Sequence, residues 1–530
     1  MHSRSLPPED GELSASNTAR QQPPRLRLYA SELFRPGHLS HDLAGRTARG
    51  GATTIVSQVA QFLLQAGGIV VLARILTPTD YGLIGMVAVF IGMAQVFKGG
   101  SLAAGTVQRD EISHEQISTV FWMNVALLTL VGLAIVAAAP LIARFFQHPE
   151  LSPVTVVLGL AFVINGLSVQ HDALLRRHMR FVAVAITQVV PLVLSLGASV
   201  ALALDGWHYW ALVAGTVVTA VSSTALSFYL CPWIPGWVHR RTGARRILRF
   251  GGDLTLFNAF NYFARNADNI LIGRFVGAAA LGLYSKAYSL FLLPMGQIRD
   301  PLSDVSRPAL SSLKHQPERF VHYYTRFVGA LAFATIPLSA YCVLEGDFVI
   351  TTLLGSQWTA ASLVFRILAA AAVVQTIAST HGLVLVSLGH TRKYLWWGIV
   401  NSDVMTISFV VGLRFGIVGV ATAFAVANYL ILVPAAVFTL ADTPVRVRVF
   451  LGVLVRPLAF SAAASLVSLL ALRVTGGAGV LPHVIVCALF FATYALLASR
   501  SRVFRETWSA FAGRLLPGTR LAASDLDSLG

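Results

Sequence analysis

Five polar residues recur at steps of three and four within GGDLTLFNAFNYFARNADNILI, the stretch Gly251–Ile272: Asn258, Asn261, Arg265, Asp268 and Asn269. On a helix they share one side, and Phe257, Phe260, Ala264, Ala267 and Leu271 take the other. The stretch is long enough to cross a bilayer. An ionisable residue at membrane depth is costly, and such residues usually face a bundle interior or a water-filled cavity. Two readings are open for Arg265. In one, it and its neighbours line a hydrophilic cavity that receives an anionic cargo. In the other, it pairs with Asp268 or Asn269 on its own helix and stabilises packing. The chemistry of the first reading is direct: a guanidinium offers phosphate a fixed fork of donors, and amides exchange hydrogen bonds with hydroxyls.

Other charges lie at comparable depth. Lys286 sits in a later apolar run, with Ser289, Gln297 and Arg299 further along a similar side. Lys98 sits in the last third of an earlier run, one turn after Gln95, where it either faces a cavity or snorkels to the surface. Asp403 interrupts a third run; it is either a proton or cation site or a hydrogen-bonding partner for a neighbouring helix. With Asp268 it is a candidate for ion coupling. No HExxH or CxxC spacing marks a metal site, and Cys231, Cys342 and Cys487 form no disulfide framework. No cofactor and no catalytic residue is expected.

The elements that must position these residues are membrane helices. Mean hydropathy is +0.68, with 55% hydrophobic and 12% charged residues, which excludes a soluble protein. The formal charge of +16 therefore calls for a membrane explanation, and nothing points to nucleic acid. Fourteen candidate spans follow one another: about 52–73, 81–103, 117–143, 152–170, 181–204, 209–230, 254–273, 281–299, 327–345, 360–388, 394–413, 416–440, 450–472 and 479–499. Residues 1–48, rich in Pro, Ser and Arg, read as a disordered cytoplasmic tail. The remaining boundaries are 49–230 for an N-lobe (spans 1–6), 231–253 for a cytoplasmic linker and 254–441 for a C-lobe (spans 7–12). Spans 13–14 occupy 442–500, and 501–530 is a cytoplasmic tail. Of the 40 Lys and Arg, thirty-one are assigned to the tails and one set of alternate loops and six to the other set, counting Arg299, Arg366 and Arg456 near span ends with the adjoining loops; Lys98, Arg265 and Lys286 remain within spans. That asymmetry puts both termini in the cytoplasm. The short external segment around Glu345–Trp358 reads as a solvated loop, too short for a catalytic domain.

An internal repeat joins the two halves. Shifted by 200 residues, Gln58 falls on Asn258, Gln61 on Asn261, Gln65 on Arg265, Arg74 on Arg274, Gly82 on Gly282 and Leu83 on Leu283. Six helices separate the two copies, so both cross the membrane in the same direction, which is a parallel repeat. It adds Gln58, Gln61 and Gln65 to the cavity candidates. Generic similarity between two membrane helices is the competing explanation.

These residues carry a resemblance. ARILTPTDYGLIGM at Ala73–Met86, STVFWMN at Ser118–Asn124 and YFARNADNILIGRFVGAAALGLYSKAY at Tyr262–Tyr288 resemble the Wzx-type polysaccharide flippases, in particular the colanic-acid exporter (WzxC-like) branch of the multidrug/oligosaccharidyl-lipid/polysaccharide (MOP) flippase superfamily. The likeness covers about Arg49 to Ala441; spans 13 and 14 fit it more loosely, and the N-terminal tail lies outside it. The resemblance implies an all-α polytopic protein of about fourteen helices, two pseudo-symmetric six-helix lobes around a central cavity followed by two extra helices. It implies flipping of an undecaprenyl-pyrophosphate-linked oligosaccharide across a bacterial inner membrane, for exopolysaccharide, capsule or lipopolysaccharide synthesis. The expected partners are the lipid-linked oligosaccharide and the bilayer, with polysaccharide polymerase and export machinery as further candidates and a proton or sodium gradient as a candidate driving force. A drug/cation antiporter of the same superfamily would need acidic residues in the lobes. A membrane glycosyltransferase or ligase would need a catalytic group in a large external loop. A non-transporting partner of the polymerase would need no charged cavity.

Overall fold

The computed structural model describes residues 43–98, 113–237, 261–263, 265–476, 479–501 and 504–505. Most of the expected tails, Asn258, and much of the linker and of span 7 lie outside them; residues 43–48, expected in the N-terminal tail, instead begin the first helix. Every regular element among the described residues is a helix. Hydrocarbon offers backbone groups no partner, so a spanning chain must satisfy them within each segment.

The helices are α1 (Leu43–Ile75), α2 (Pro78–Lys98), α3 (His114–Phe146), α4 (Leu151–Gly166), α5 (Val169–Arg177), α6 (Phe181–Leu204), α7 (Tyr209–Leu230), α8 (Ala267–Phe275) and α9 (Ala278–Ser312). Then follow α10 (Pro317–Leu344), α11 (Gly346–Leu354), a 3-10 turn (Ser356–Ala361), α12 (Ser362–Ala378), α13 (Thr380–Ser387), α14 (Thr391–Leu413), α15 (Gly416–Leu440), α16 (Val447–Thr475) and α17 (Val480–Arg500). Among the described residues, twelve stretches are long and apolar enough to cross a membrane. They correspond to all the expected spans except 7 and 8, and for 181–204, 209–230 and 416–440 the ends coincide. Span 7 lies partly outside the described residues. Span 8 is the first part of α9, whose apolar character is diluted by Tyr284, Lys286, Ser289 and Gln297.

Helix starts follow sequence signals. Thr77 precedes Pro78 at the head of α2, and Asp80 answers it: the Thr77 N–H donates to Asp80 Oδ2 at 2.9 Å and the Asp80 N–H to Thr77 Oγ1 at 3.3 Å. This reciprocal cap satisfies two otherwise orphaned donors, and proline suits the first helical position. Ser113 and Gln116 cap α3 in the same way, each bond at 3.2 Å.

The described residues divide into two compact units. One holds residues up to Gly68 together with Val87–Tyr262; the other holds Ile69–Met86 and everything from Phe263 onward. The division differs from a cut between spans 6 and 7, because the α1–α2 turn belongs to the second unit. In the first unit, Leu128, Ile135, Phe162 and Val169 pack between α3, α4 and α5, and Phe121, Leu174 and Trp233 form a second cluster. In the second, α10 is central: Phe320, Tyr324, Phe327 and Leu331 share a core with Phe450 of α16. The last two helices dock on it through Phe333, Tyr341, Phe490 and Tyr494, and the Tyr494 hydroxyl donates to the Phe333 carbonyl at 2.9 Å.

Candidate functional site

The repeat is visible as a contact inside the second unit. A Cβ added to Gly82 would lie 1.7 Å from the Ala278 carbonyl oxygen, and one added to Gly282 would lie 1.8 Å from that of Pro78. Gly82 and Gly282 are 200 residues apart, and so are Pro78 and Ala278. The two helix starts therefore cross reciprocally, each glycine under the other copy's first carbonyl. Only the absence of a side chain on both lets the backbones approach so closely.

Beside this crossing, the Lys286 ammonium lies 3.8 Å from the centre of the Tyr81 ring. That cation–π contact gives Lys286 a partner on the repeat's other copy. Tyr81 is backed edge-on by Trp358, with ring centres 5.6 Å apart. Trp358 is fully buried, and its indole N–H donates to the Ala73 carbonyl at 2.8 Å; Gln357 donates to the same carbonyl at 2.6 Å and to that of Leu76 at 3.2 Å. The last carbonyls of α1, which have no partner within their helix, are thus capped by side chains from the 3-10 turn. Arg74 adds a bond to the Thr352 carbonyl at 2.5 Å.

The polar stripe of span 7 is interrupted rather than continuous. Residues 261–263 and Arg265 are helical, Asn266 is a turn with φ −111° and ψ 16°, and α8 begins at Ala267. The run Arg265-Asn266-Ala267-Asp268-Asn269 is rich in short polar side chains, which bond to nearby backbone in competition with the helix ladder. The Asp268 carboxylate accepts the Asn269 N–H at 2.7 Å, and the Asn269 amide reaches Asn266 Oδ1 at 3.5 Å. The break changes the phase of the stripe. Arg265 is exposed, Asn261 and Asn269 are half-buried, and Asp268 is buried. Asp268 takes its second bond from the Tyr284 hydroxyl of α9 at 3.0 Å, rather than from Arg265. A pairing of Arg265 with Asp268 was one of the two sequence readings, and the structure gives Asp268 a different partner.

The first-unit candidates separate. Gln58 and Gln65 are exposed on α1, whereas Gln61 donates to Gln188 Oε1 of α6 at 3.1 Å. Lys98 does not snorkel outward: its ammonium meets Asn165 Oδ1 of α4. Asn165 donates in turn to Ser223 Oγ at 3.0 Å, and nearby Asp172 accepts from Ser227 Oγ at 2.6 Å. Asp172, which interacts electrostatically with Lys98, was hidden in the sequence at the edge of a basic loop. Asp403 is exposed on α14. Glu345 is a correction. It is buried instead of solvated, with its Oε2 2.6 Å from His483 Nδ1 of α17; Asp347 sits 3.4 Å from Arg366. The segment after it folds into α11 and the 3-10 turn, and this local structure draws Glu345 inward. Among the described residues, no three His, Cys, Asp or Glu side chains converge as a metal site would require.

The profile of a family described as polysaccharide biosynthesis protein matches residues 71–363, which include the crossing, Arg265 and Lys286. The teichuronic acid biosynthesis protein TuaB of Bacillus subtilis (strain 168) is 26% identical over 353 residues, 66% of this chain and 72% of its own. The lipopolysaccharide biosynthesis protein WzxC of Escherichia coli (strain K12) is 24% identical over 390 residues, 72% of this chain and 78% of its own. Among solved structures, the lipid II flippase MurJ in an inward closed conformation superposes with a TM-score of 0.66 at 15% identity, covering 84% of this chain and 98% of that one. An inward-facing MATE family multidrug resistance transporter of the MOP superfamily gives 0.55 at 13% identity, covering 76% and 95%. At such identities the structures establish a shared fold.

Proposed function

Because this chain belongs to the polysaccharide biosynthesis protein family and has the MOP superfamily fold, we propose that it flips an undecaprenyl-pyrophosphate-linked oligosaccharide across the bacterial inner membrane by alternating access. The observation that carries the reading is Arg265: a guanidinium in a polar run that the sequence analysis assigns to a membrane span, exposed, while nearby Asp268 is held by Tyr284. Moving a pyrophosphate through hydrocarbon requires that its charge be paired throughout. Arg265 supplies that pairing, and Asn269 contacts the first sugars. Lys286 adds positive potential without leaving Tyr81. Gln61 and Lys98 hold their own unit together. No covalent step is needed. The loop asymmetry orients the protein with both termini in the cytoplasm, and Asp268 and Asp403 are the candidates for coupling to a proton or sodium gradient.

Deletion of the gene tests the reading in cells. The expected result is accumulation of a polyprenyl-pyrophosphate-linked oligosaccharide of complete repeat size, facing the cytoplasm, with loss of the surface polymer. Normal polymer export in the deletion strain would refute it.

A further inference from the structure

A second site lies at one end of the α14–α15 pair. Here a cavity of about 800 Å³ is walled by Arg392, Lys393, Trp396, Val400, Phe438 and Asp442. Arg392 is exposed at the head of α14, and Trp396 beside it is 53% exposed. The Lys393 ammonium lies 5.4 Å from the centre of the Phe438 ring and 2.6 Å from Asp442 Oδ2. Two cations against one acid leave the mouth positive. Tryptophan beside Lys and Arg is the composition of a membrane–water boundary.

A groove lies one helical turn beyond this mouth on both helices. One turn along α14 from Val400 is Val404, and one turn back along α15 from Phe438 is Pro434; both line an apolar cavity of about 800 Å³ between the same two helices. The helices close this groove at its far end. A Cβ on Gly412 would lie 2.5 Å from the Gly419 carbonyl oxygen, and one on Gly419 would lie 2.3 Å from that of Gly412. The groove is thus apolar, tight at one end, and positive at the other. From Lys393 to Val404 a helix rises about 16 Å, about half the thickness of the hydrocarbon core. That is the depth of one lipid leaflet.

We propose that the end of the α14–α15 pair binds one anionic glycerophospholipid, with its phosphate at Arg392 and Lys393 and its acyl chains in the groove that runs past Val404 and Pro434. Basic pockets between membrane helices suit such headgroups. Asp442 is the selectivity element. It is exposed, and its bond to Lys393 holds the carboxyl below the usual carboxylate range, so it stays charged at neutral pH. An arriving phosphate must draw Lys393 away from it. Asp442 therefore tempers affinity and sets the strength of headgroup that can compete. The site is independent of the cargo reading above, because neither Arg265 nor Lys286 takes part.

The test uses the full-length protein, delipidated in detergent, with lipid binding followed by native mass spectrometry and a melting temperature recorded for every variant. Wild type should bind phosphatidylglycerol more tightly than phosphatidylcholine by about fivefold, the worth of one net cation, and Asp442→Asn should raise the preference towards the roughly thirtyfold that two cations imply. The double variant Arg392→Gln/Lys393→Gln should melt as wild type and bind the two lipids equally. Asp442→Asn should bind phosphatidylglycerol more tightly than wild type. Inorganic phosphate at millimolar concentration should not displace the lipid, since the chains hold it as well. The proposal is overturned if wild type fails to distinguish the two lipids or if the double variant keeps the preference. It is overturned too if Asp442→Asn weakens lipid binding and lowers the melting temperature, which would make the pair a structural clamp, or if phosphate alone empties the site.

Discussion

Gly282→Ala is expected to lower the melting temperature sharply and to abolish export. The new methyl carbon would stand 1.8 Å from the Pro78 carbonyl oxygen, and that neighbour is backbone. A flexible side chain could turn aside; a helix must move bodily. Overpacking of a tight contact costs about 1–3 kcal/mol, and a backbone clash falls at the upper end. Gly82→Ala should cost a similar amount, because its methyl would meet the Ala278 carbonyl at 1.7 Å. Equal effects from two residues so distant in sequence are what a reciprocal crossing predicts. Gly51→Ala and Gly452→Ala are the controls, since a Cβ at either would meet nothing within 4 Å. Thermal melting of the purified variants, with export measured in parallel, decides. Wild-type melting of Gly82→Ala and Gly282→Ala would mean that the two helices do not cross at these glycines.

Arg265→Ala should give a protein that inserts normally and exports nothing. Removing a charge from mid-membrane eases insertion by roughly 2–3 kcal/mol on the translocon scale, so abundance should not fall. Arg265→Lys should be partly active, because an ammonium keeps the charge but loses the two-donor fork. The structure sharpens the comparison with a packing role. Asp268 is held by Tyr284 and by the Asn269 N–H. Arg265→Ala should therefore not strand it, and the double variant Arg265→Ala/Asp268→Ala should stay inactive. Export in that double variant at matched protein level is the readout, and recovery to near wild type would assign Arg265 to packing.

Much of the architecture was legible because it rests on local regularities. Apolar length set most spans, although the head of α2 lies at Pro78, three residues before the expected start at 81. The Gly82–Gly282 correspondence, a faint repeat in the sequence, turned out to be a physical contact. What stayed hidden depends on partners brought together by packing. Asn266 breaks the polar stripe because neighbouring Asn and Asp side chains satisfy the backbone in another way, and a 3.6-residue period assumes an unbroken helix. Periodicity placed Asp268 beside Arg265 but could not show that Tyr284, on the next helix, would reach it. Likewise nothing in the sequence around Glu345 announces His483, and nothing around Lys98 announces Asn165. The α1–α2 turn looked like part of the first half by connectivity, yet Gln357 and Trp358 cap it from within the second unit.

The central claim is that the protein itself moves a lipid-linked oligosaccharide between leaflets, and reconstitution measures this most directly. The purified protein is placed in sealed vesicles with the lipid-linked oligosaccharide recovered from the deletion strain, and an impermeant glycosidase is added outside. In protein-free vesicles about half of the glycan, that of the inner leaflet, should be protected. With wild-type protein the protected fraction should fall towards zero over time, and with Arg265→Ala it should remain. Protection that is the same with and without the wild-type protein would contradict the account.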